Sequence, residues 1–150
     1  MSWKKLLEDG SLQKKKISLK EVGKILTKAH ESLRAAEVLI KQDFYDSAFK
    51  ESYESMLLSG RTLIFSLGYK PRTVGSHAIT VKFCQLYFGI DLKILTEKFD
   101  KMRRKRNYLI YGAGLTISKT EAENAIKTAK EFIKKIKKFI QKKNPQKKLI

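Results

Sequence analysis

Apolar residues recur every three or four positions along most of this chain, a spacing that fits amphipathic helices and does not fit strands. Two of these stripes begin with the Ser-x-x-Glu spacing of a helix capping box, at Ser18 and at Ser118. The stripes and their boundaries predict helices at about residues 18–42, 45–67, 76–88, 91–111 and 118–143. Because the connections between them are short, we predict an all-α fold, an up-and-down bundle of four to five long helices.

The chain of 150 residues has the length of one domain, and its sequence contains no internal repeat and no linker. We therefore predict a single helical domain over 1–150, with a basic N-terminal segment at 1–17 and a basic tail at 144–150. The stretch from Tyr69 to Gly75 contains proline and glycine, which predicts a loop. Ser76 follows this stretch and is predicted to cap the third helix.

The charge balance indicates a polyanionic partner. Thirty-three Lys and Arg residues against fifteen Asp and Glu residues give a formal net charge of +18 at pH 7. An unbalanced basic surface attracts polyanions, so we predict RNA or a nucleotide as the partner, with an acidic protein as the alternative.

The sequence also predicts the compartment. No apolar run approaches the length of a membrane span, and the first residues lack the apolar stretch of a signal peptide. Cys84 is the single cysteine and lies in an apolar stretch, as is typical of a reduced, buried thiol. We predict a cytoplasmic protein without a membrane partner.

The basic end of the predicted fourth helix is the segment that stands out for function. It carries Arg103, Arg104 and Arg106, followed by Asn107 and Tyr108. Residues three or four apart share a helix face, so Arg103 and Asn107 form one row and Arg104 and Tyr108 form an overlapping one. Arginines beside amides and phenols can bind phosphate bidentately and stack on bases. These five residues are the predicted nucleic-acid- or nucleotide-binding set, and a solvated basic helix end is the alternative.

His77 is a further candidate for this set. It follows Ser76 at a helix start, where a histidine either caps the helix, packs at the edge of the core or supports the nearby arginines. The chain has two histidines and one cysteine, and it lacks metal-ligand spacings, a phosphate-binding P-loop and the glycine-rich dinucleotide fingerprint. We therefore predict no metal site and no cofactor.

The run Arg106-Asn107-x-x-x-Tyr111-Gly112 resembles the HEPN (higher eukaryotes and prokaryotes nucleotide-binding) domain family, in its small uncharacterised prokaryotic branch. The resemblance extends over roughly residues 18–140. It includes a tyrosine-rich stretch with small residues at 45–56, the run at 67–71 and the helix start at Ser76-His77. The individual motifs are short, and their order and spacing carry the resemblance.

This resemblance implies a HEPN-like helical bundle that is usually a homodimer, with the arginine motif lining a cleft. Many members are metal-independent endoribonucleases, often toxins neutralised by a nucleotidyltransferase encoded beside them. Carried over to this chain, Arg106 matches the motif arginine and Asn107 its polar residue, while Tyr111 stands where the family has a histidine. Arg106 and Tyr111 are thus the candidate catalytic residues. A tyrosine, with a pKa near 10, is a weak replacement for histidine in proton transfer at neutral pH.

Three functions remain open at this point. The first is a HEPN-like RNA- or nucleotide-binding protein, part of a toxin–antitoxin-type module with a nucleotidyltransferase partner. The second is an active metal-independent endoribonuclease in which Tyr111 or His77 transfers protons. The third is a protein-interaction module whose basic faces dock an acidic protein without any nucleic acid.

Overall fold

The protein's structure, a computed structural model, describes residues 2–112 and 116–145. In this part of the chain, five long helices, one short helix and two short strands follow one another. They are α1 (Lys5–Glu8), β1 (Leu12–Lys14), α2 (Leu19–Lys41), α3 (Tyr45–Ser66), β2 (Tyr69–Pro71), α4 (Ser76–Phe88), α5 (Lys93–Tyr111) and α6 (Lys119–Lys143), with a 3-10 turn at Gly89–Leu92. The predicted all-α bundle is confirmed, and each long helix begins and ends within two residues of its expected bounds.

The two predicted capping boxes mark the starts of α2 and α6. Ser18 accepts a hydrogen bond from the backbone N–H of Glu21, and Ser118 accepts one from Glu121. At Ser118 the Glu121 side chain also bonds back to the cap residue, which completes the box. The predicted basic tail falls outside the described residues from position 146 onward, as do Ala113 and Gly114 after the end of α5.

Helix α3 lies at the centre of the bundle and contacts α2, α4, α5 and α6. Its residues are buried on several sides, and Ser52, Ser55, Ser59 and Gly60 leave room for neighbouring helices to approach closely. The hydroxyls of Ser52 and Ser59 donate to carbonyl groups one turn earlier, so these buried groups are satisfied within the helix. The side chains of α3 can therefore contact α4 and α5 at once, and the candidate site lies between these three helices.

The prediction of a loop from Tyr69 to Gly75 is wrong for its first three residues. Residues Tyr69–Pro71 form β2 and pair antiparallel with β1, with Leu12 opposite Pro71 and Lys14 opposite Tyr69. Leu12 is buried, and the Trp3 ring packs edge-on at 5.3 Å from Phe83 and 5.8 Å from Tyr69. These contacts join segments far apart in the chain, so local sequence patterns do not reveal them.

The start of α4 also differs from the prediction. Gly75, with φ of 72°, occupies the cap position, and Ser76 is the first residue of the helix. This backbone conformation favours glycine. The Ser76 hydroxyl accepts a hydrogen bond from Arg61 Nη2 at 3.0 Å and caps no backbone N–H group. Ser76 therefore positions an arginine side chain of α3.

We expect Gly60→Ala to lower the free energy of unfolding by about 1–2 kcal/mol. A Cβ at Gly60 would lie 2.8 Å from Thr80 Cγ2 and 3.3 Å from Cys84 Sγ, so helices α3 and α4 would have to move apart. Overpacking of this kind costs about 1–3 kcal/mol, and the better helix propensity of alanine returns up to about 1 kcal/mol. Urea unfolding followed by circular dichroism measures the difference.

Thr80→Ser provides the matched control for this prediction. It removes Cγ2 and keeps the hydroxyl, which donates to the Ser76 carbonyl oxygen at 2.8 Å. In the double variant, the cost of Gly60→Ala should fall by at least about half, because the closest contact is gone. If the two single effects simply add, the Thr80 methyl group is not the cause of the loss.

Candidate nucleic-acid interface

The arginine-rich end of α5 is partly neutralised by a carboxylate of its own helix. Arg103 donates from Nε and Nη2 to Asp100 Oδ1 at 3.2 and 3.0 Å, and Arg104 Nη2 lies 2.9 Å from Asp100 Oδ2. Lys105 pairs with Glu121 of α6. Arg106 forms no ion pair within the described part of the chain. It is thus the cation of this run whose charge stays uncompensated.

Tyr53 connects Arg106 to His77. The guanidinium carbon of Arg106 lies 5.9 Å from the centroid of the Tyr53 ring, within the range of a cation–π contact. Tyr53 is fully buried, its ring lies 5.7 Å from the His77 ring, and its hydroxyl is 2.9 Å from His77 Nδ1. A side chain of α3 therefore joins the arginine of α5 to the histidine at the start of α4.

Arg61 is the second uncompensated cation at this place. Its hydrogen bond to the Ser76 hydroxyl holds the guanidinium group beside the first turn of α4, next to His77. Arg61 forms no ion pair with any described residue. We call the group Tyr53, Arg61, Ser76, His77 and Arg106 the His77 pocket.

The charges around His77 are positive. Burial and then the positive charges of Arg106, Arg61 and Arg103 lower the pKa of His77 to about 4, so the imidazole is neutral at pH 7. Burial raises the pKa of Tyr53, so its phenol keeps its proton. A half-buried neutral imidazole surrounded by guanidinium groups marks a region of positive potential, which an anion would stabilise.

The outer face of α5 presents a second group of polar and aromatic side chains. Arg104, Asn107, Tyr108, Tyr111 and Gly112 line an open depression of about 500 Å³. Tyr108 is 65% exposed and Tyr111 is 84% exposed. Tyr111 follows Arg106 by five positions, which places the two side chains about 140° apart around the helix.

The predicted site residues therefore lie on two sides of α5. Toward the bundle lie Arg103, Arg106 and His77; on the outer face lie Arg104, Asn107, Tyr108 and Tyr111. Whether either group binds RNA or acts in catalysis stays a prediction. The structure brings His77 close to the arginines and separates Tyr111 from Arg106.

The HEPN domain profile matches residues 22–139, which span α2, α3, α4, α5 and most of α6. The chain belongs to the HEPN family. Two proteins of Methanocaldococcus jannaschii are similar over most of their lengths. The one named "Putative toxin MJ0142" is 30% identical over 128 residues, which cover 83% of this chain and 85% of that protein. The one named "Putative toxin MJ0605" is 28% identical over 123 residues, covering 80% of this chain and 89% of that protein.

Within this HEPN domain, sequence reasoning missed three functional candidates. Tyr53 reads as a core residue, which it is, but its hydroxyl also contacts His77. Arg61 and Lys50 are the two basic residues of α3. An isolated charge in a largely buried helix indicates a functional candidate, so this signal could have found Arg61. Asp100 lies three and four positions before Arg103 and Arg104, a spacing that predicts its ion pairs.

Three further geometric findings concern metal ligands, membrane spans and the cysteine. In the described part of the HEPN domain, no three His, Cys, Asp or Glu side chains come together in a group that could hold a metal ion. None of its helices is both long enough and apolar enough to cross a membrane. Cys84 is fully buried as a free thiol, and burial raises its pKa.

Proposed function

We propose that this HEPN protein binds RNA and acts as the toxin component of a toxin–antitoxin module with a nucleotidyltransferase partner. The observation that supports RNA binding is the His77 pocket, where Arg61 and Arg106 have no carboxylate partner among the described residues. Buried or half-buried guanidinium groups are rarely left without an anion, so a ligand that supplies negative charge fits this place.

The chemistry of the two faces of α5 favours RNA over an acidic protein. Guanidinium groups bind the paired oxygens of a phosphate in a bidentate way. On the outer face, the exposed rings of Tyr108 and Tyr111 offer surfaces on which unpaired bases can stack, next to Arg104. Phosphate contacts on one side and stacking on the other match a single-stranded or looped RNA.

The toxin role draws on the relatives. Both similar proteins carry the word toxin in their names, and both align with more than three quarters of this chain. The nucleotidyltransferase partner follows from the family resemblance, and a toxin that acts on RNA would work in the cytoplasm. Isolation of a stable complex between this protein and a nucleotidyltransferase encoded beside it would support the pairing.

A homodimer is part of the same proposal. Tyr108, Ile110 and Tyr111 expose apolar surface at the end of α5, and exposed apolar groups of this kind are typical of interaction surfaces.

A metal-independent endoribonuclease is the second candidate function. The observation that favours it is that Arg106 and His77 contact the same Tyr53 ring, so a phosphate-binding and a proton-transferring group lie together without Tyr111. Cleavage through the RNA 2′-hydroxyl needs such a pair. This candidate requires the pKa of His77 to rise toward neutrality when RNA binds.

RNA binding at several salt concentrations tests the proposed function. We expect a fluorescently labelled single-stranded RNA to bind with a log–log salt slope of about −2 or steeper, as for about three neutralised phosphates. The same samples, incubated in EDTA and run on a denaturing gel, report cleavage. Binding without cleavage supports a binding toxin, and metal-independent cleavage supports the endoribonuclease. A salt slope near zero, or no binding, would overturn both and favour a protein partner.

A further inference from the structure

The His77 pocket contains side chains of α3, α4 and α5, and it lies at the N-terminal end of α4. Intrahelical bonding of α4 begins with the N–H of Ile79, which donates to the Gly75 carbonyl at 3.0 Å. The N–H of Ser76 donates to the Thr73 carbonyl oxygen at 3.3 Å, and the N–H groups of His77 and Ala78 lie in the first turn, where the helix dipole is positive. Arg61 is fixed at this end by Ser76, and Arg106 is fixed over Tyr53.

We propose that the His77 pocket holds one phosphodiester group of the bound RNA strand, contacted by Arg61, Arg106 and the imidazole of His77. This inference rests on the proposed RNA binding and deepens it. It assigns a phosphate contact to residues of α3 and α4 that lie outside the arginine motif of α5. A phosphodiester carries one negative charge and two free oxygens, which suits two guanidinium forks.

The carboxylates near the pocket do not neutralise its two arginines. Asp100 forms ion pairs with both Arg103 and Arg104, and Glu54 lies near Tyr53. Neither carboxylate forms an ion pair with Arg61 or Arg106 in the described structure. One phosphodiester would therefore offset charge that the protein itself leaves open.

A consequence of this arrangement is that RNA binding takes up a proton at His77. The groups facing His77 are Tyr53 and Arg61 from α3 and Arg103 and Arg106 from α5, and the charged ones are all cations. Lys70 and Arg72, which precede α4, are cations too. In the free protein, burial and these cations hold the pKa of His77 at about 4. A phosphate anion beside the imidazole offsets part of this positive charge and so raises that pKa.

The hydrogen bond to Tyr53 is compatible with both protonation states of His77. A phenol can donate to a neutral Nδ1 and can accept from a protonated one, and burial keeps this phenol protonated. With Nδ1 accepting from the phenol, Nε2 already carries a proton that can be donated to the phosphate. Protonation adds Nδ1–H, which donates to the phenol oxygen, and a positive charge that strengthens the Nε2–H contact with the phosphate. Affinity should therefore rise as pH falls below the bound-state pKa and level off below about 4, the pKa of the free protein.

The experiment uses the fact that the chain has only two histidines, His30 and His77. Their imidazole NMR signals are titrated with pH in the free protein and with a saturating 2′-O-methyl RNA octamer, which cannot be cleaved through a 2′-hydroxyl. We expect the pKa of His77 to rise by about one unit or more, and that of His30, on α2, to stay unchanged. If the bound pKa returns to about 6.5, RNA binds about tenfold more tightly at pH 5.5 than at pH 7.5.

Variants separate a phosphate contact from a general effect of charge. His77→Gln should remove the pH dependence of binding, and Arg61→Gln should weaken binding about tenfold or more. Arg34→Gln, on the exposed surface of α2, removes the same charge as Arg61→Gln and should change affinity less than about twofold. The melting temperature of each variant confirms that it is folded.

Each possible result of these experiments either supports or overturns the inference. RNA binding that leaves the His77 signal unchanged overturns this inference while the proposed function stands, and so does an unchanged pH dependence in His77→Gln. No RNA binding at all overturns both. A polyglutamate peptide serves as the competing ligand: if it raises the pKa of His77 and RNA does not, the pocket serves an acidic protein and the inference is wrong.

Discussion

Phe99→Ala is expected to lower the free energy of unfolding by about 3–5 kcal/mol, the range for removing a fully buried phenylalanine. Phe99 has no exposed surface, and its ring lies 5.1 Å from Phe132 and 5.9 Å from Tyr53. It therefore joins α5 to α6 and to the central helix α3. Alanine would leave a cavity where these three helices meet, and the rigid neighbouring rings limit how far it can collapse.

Phe44→Ala is the matched control, because it removes the same atoms from a side chain that is 55% exposed. We expect this change to cost no more than about 0.5 kcal/mol. Urea unfolding at pH 7, followed by circular dichroism, gives both values under one condition. Similar losses in the two variants would mean that the Phe99 ring is not packed as the structure places it.

Arg106→Gln is expected to weaken RNA binding about 10- to 100-fold. A hydrogen bond to a charged group is worth about 1.5–3 kcal/mol, and each 1.4 kcal/mol is a factor of ten in affinity. Arg106 is the cation of its run without an ion pair in the described structure, so no competing carboxylate weakens its interaction with phosphate. Fluorescence anisotropy at fixed salt and pH measures the change.

Two further variants identify what Arg106 supplies. Arg106→Lys keeps the charge and removes the planar fork, so it should recover only part of the affinity if the contact is bidentate. Arg34→Gln removes one charge from an exposed position on α2 and should have little effect. If Arg34→Gln weakens binding as much as Arg106→Gln does, net charge alone accounts for RNA binding and the site lies elsewhere.

The local features of this fold could be read from the sequence. The positions of the five long helices follow from apolar spacing and from the boxes at Ser18 and Ser118. These features depend on interactions within one helical turn, which act in any context. The HEPN resemblance also depends on short stretches of sequence in a given order, and it identified the family correctly.

The arginine-rich segment was equally visible, but the sequence could not show on which side of α5 each residue faces the rest of the protein. Helix geometry alone separates Arg106 from Tyr111 by about 140°. It does not say that the Arg106 side meets Tyr53, or that the Tyr111 side is exposed. That choice depends on which face of α5 the bundle buries.

The sequence by itself determined the helices, the family and the basic character of the chain. Only the tertiary structure decided that Arg61, His77 and Arg106 come together around Tyr53 and that β1 pairs with β2. The physical reason is the range of the interactions. Capping and helix periodicity act between neighbours in the chain, whereas the pocket and the strand pair depend on packing between segments that are tens of residues apart.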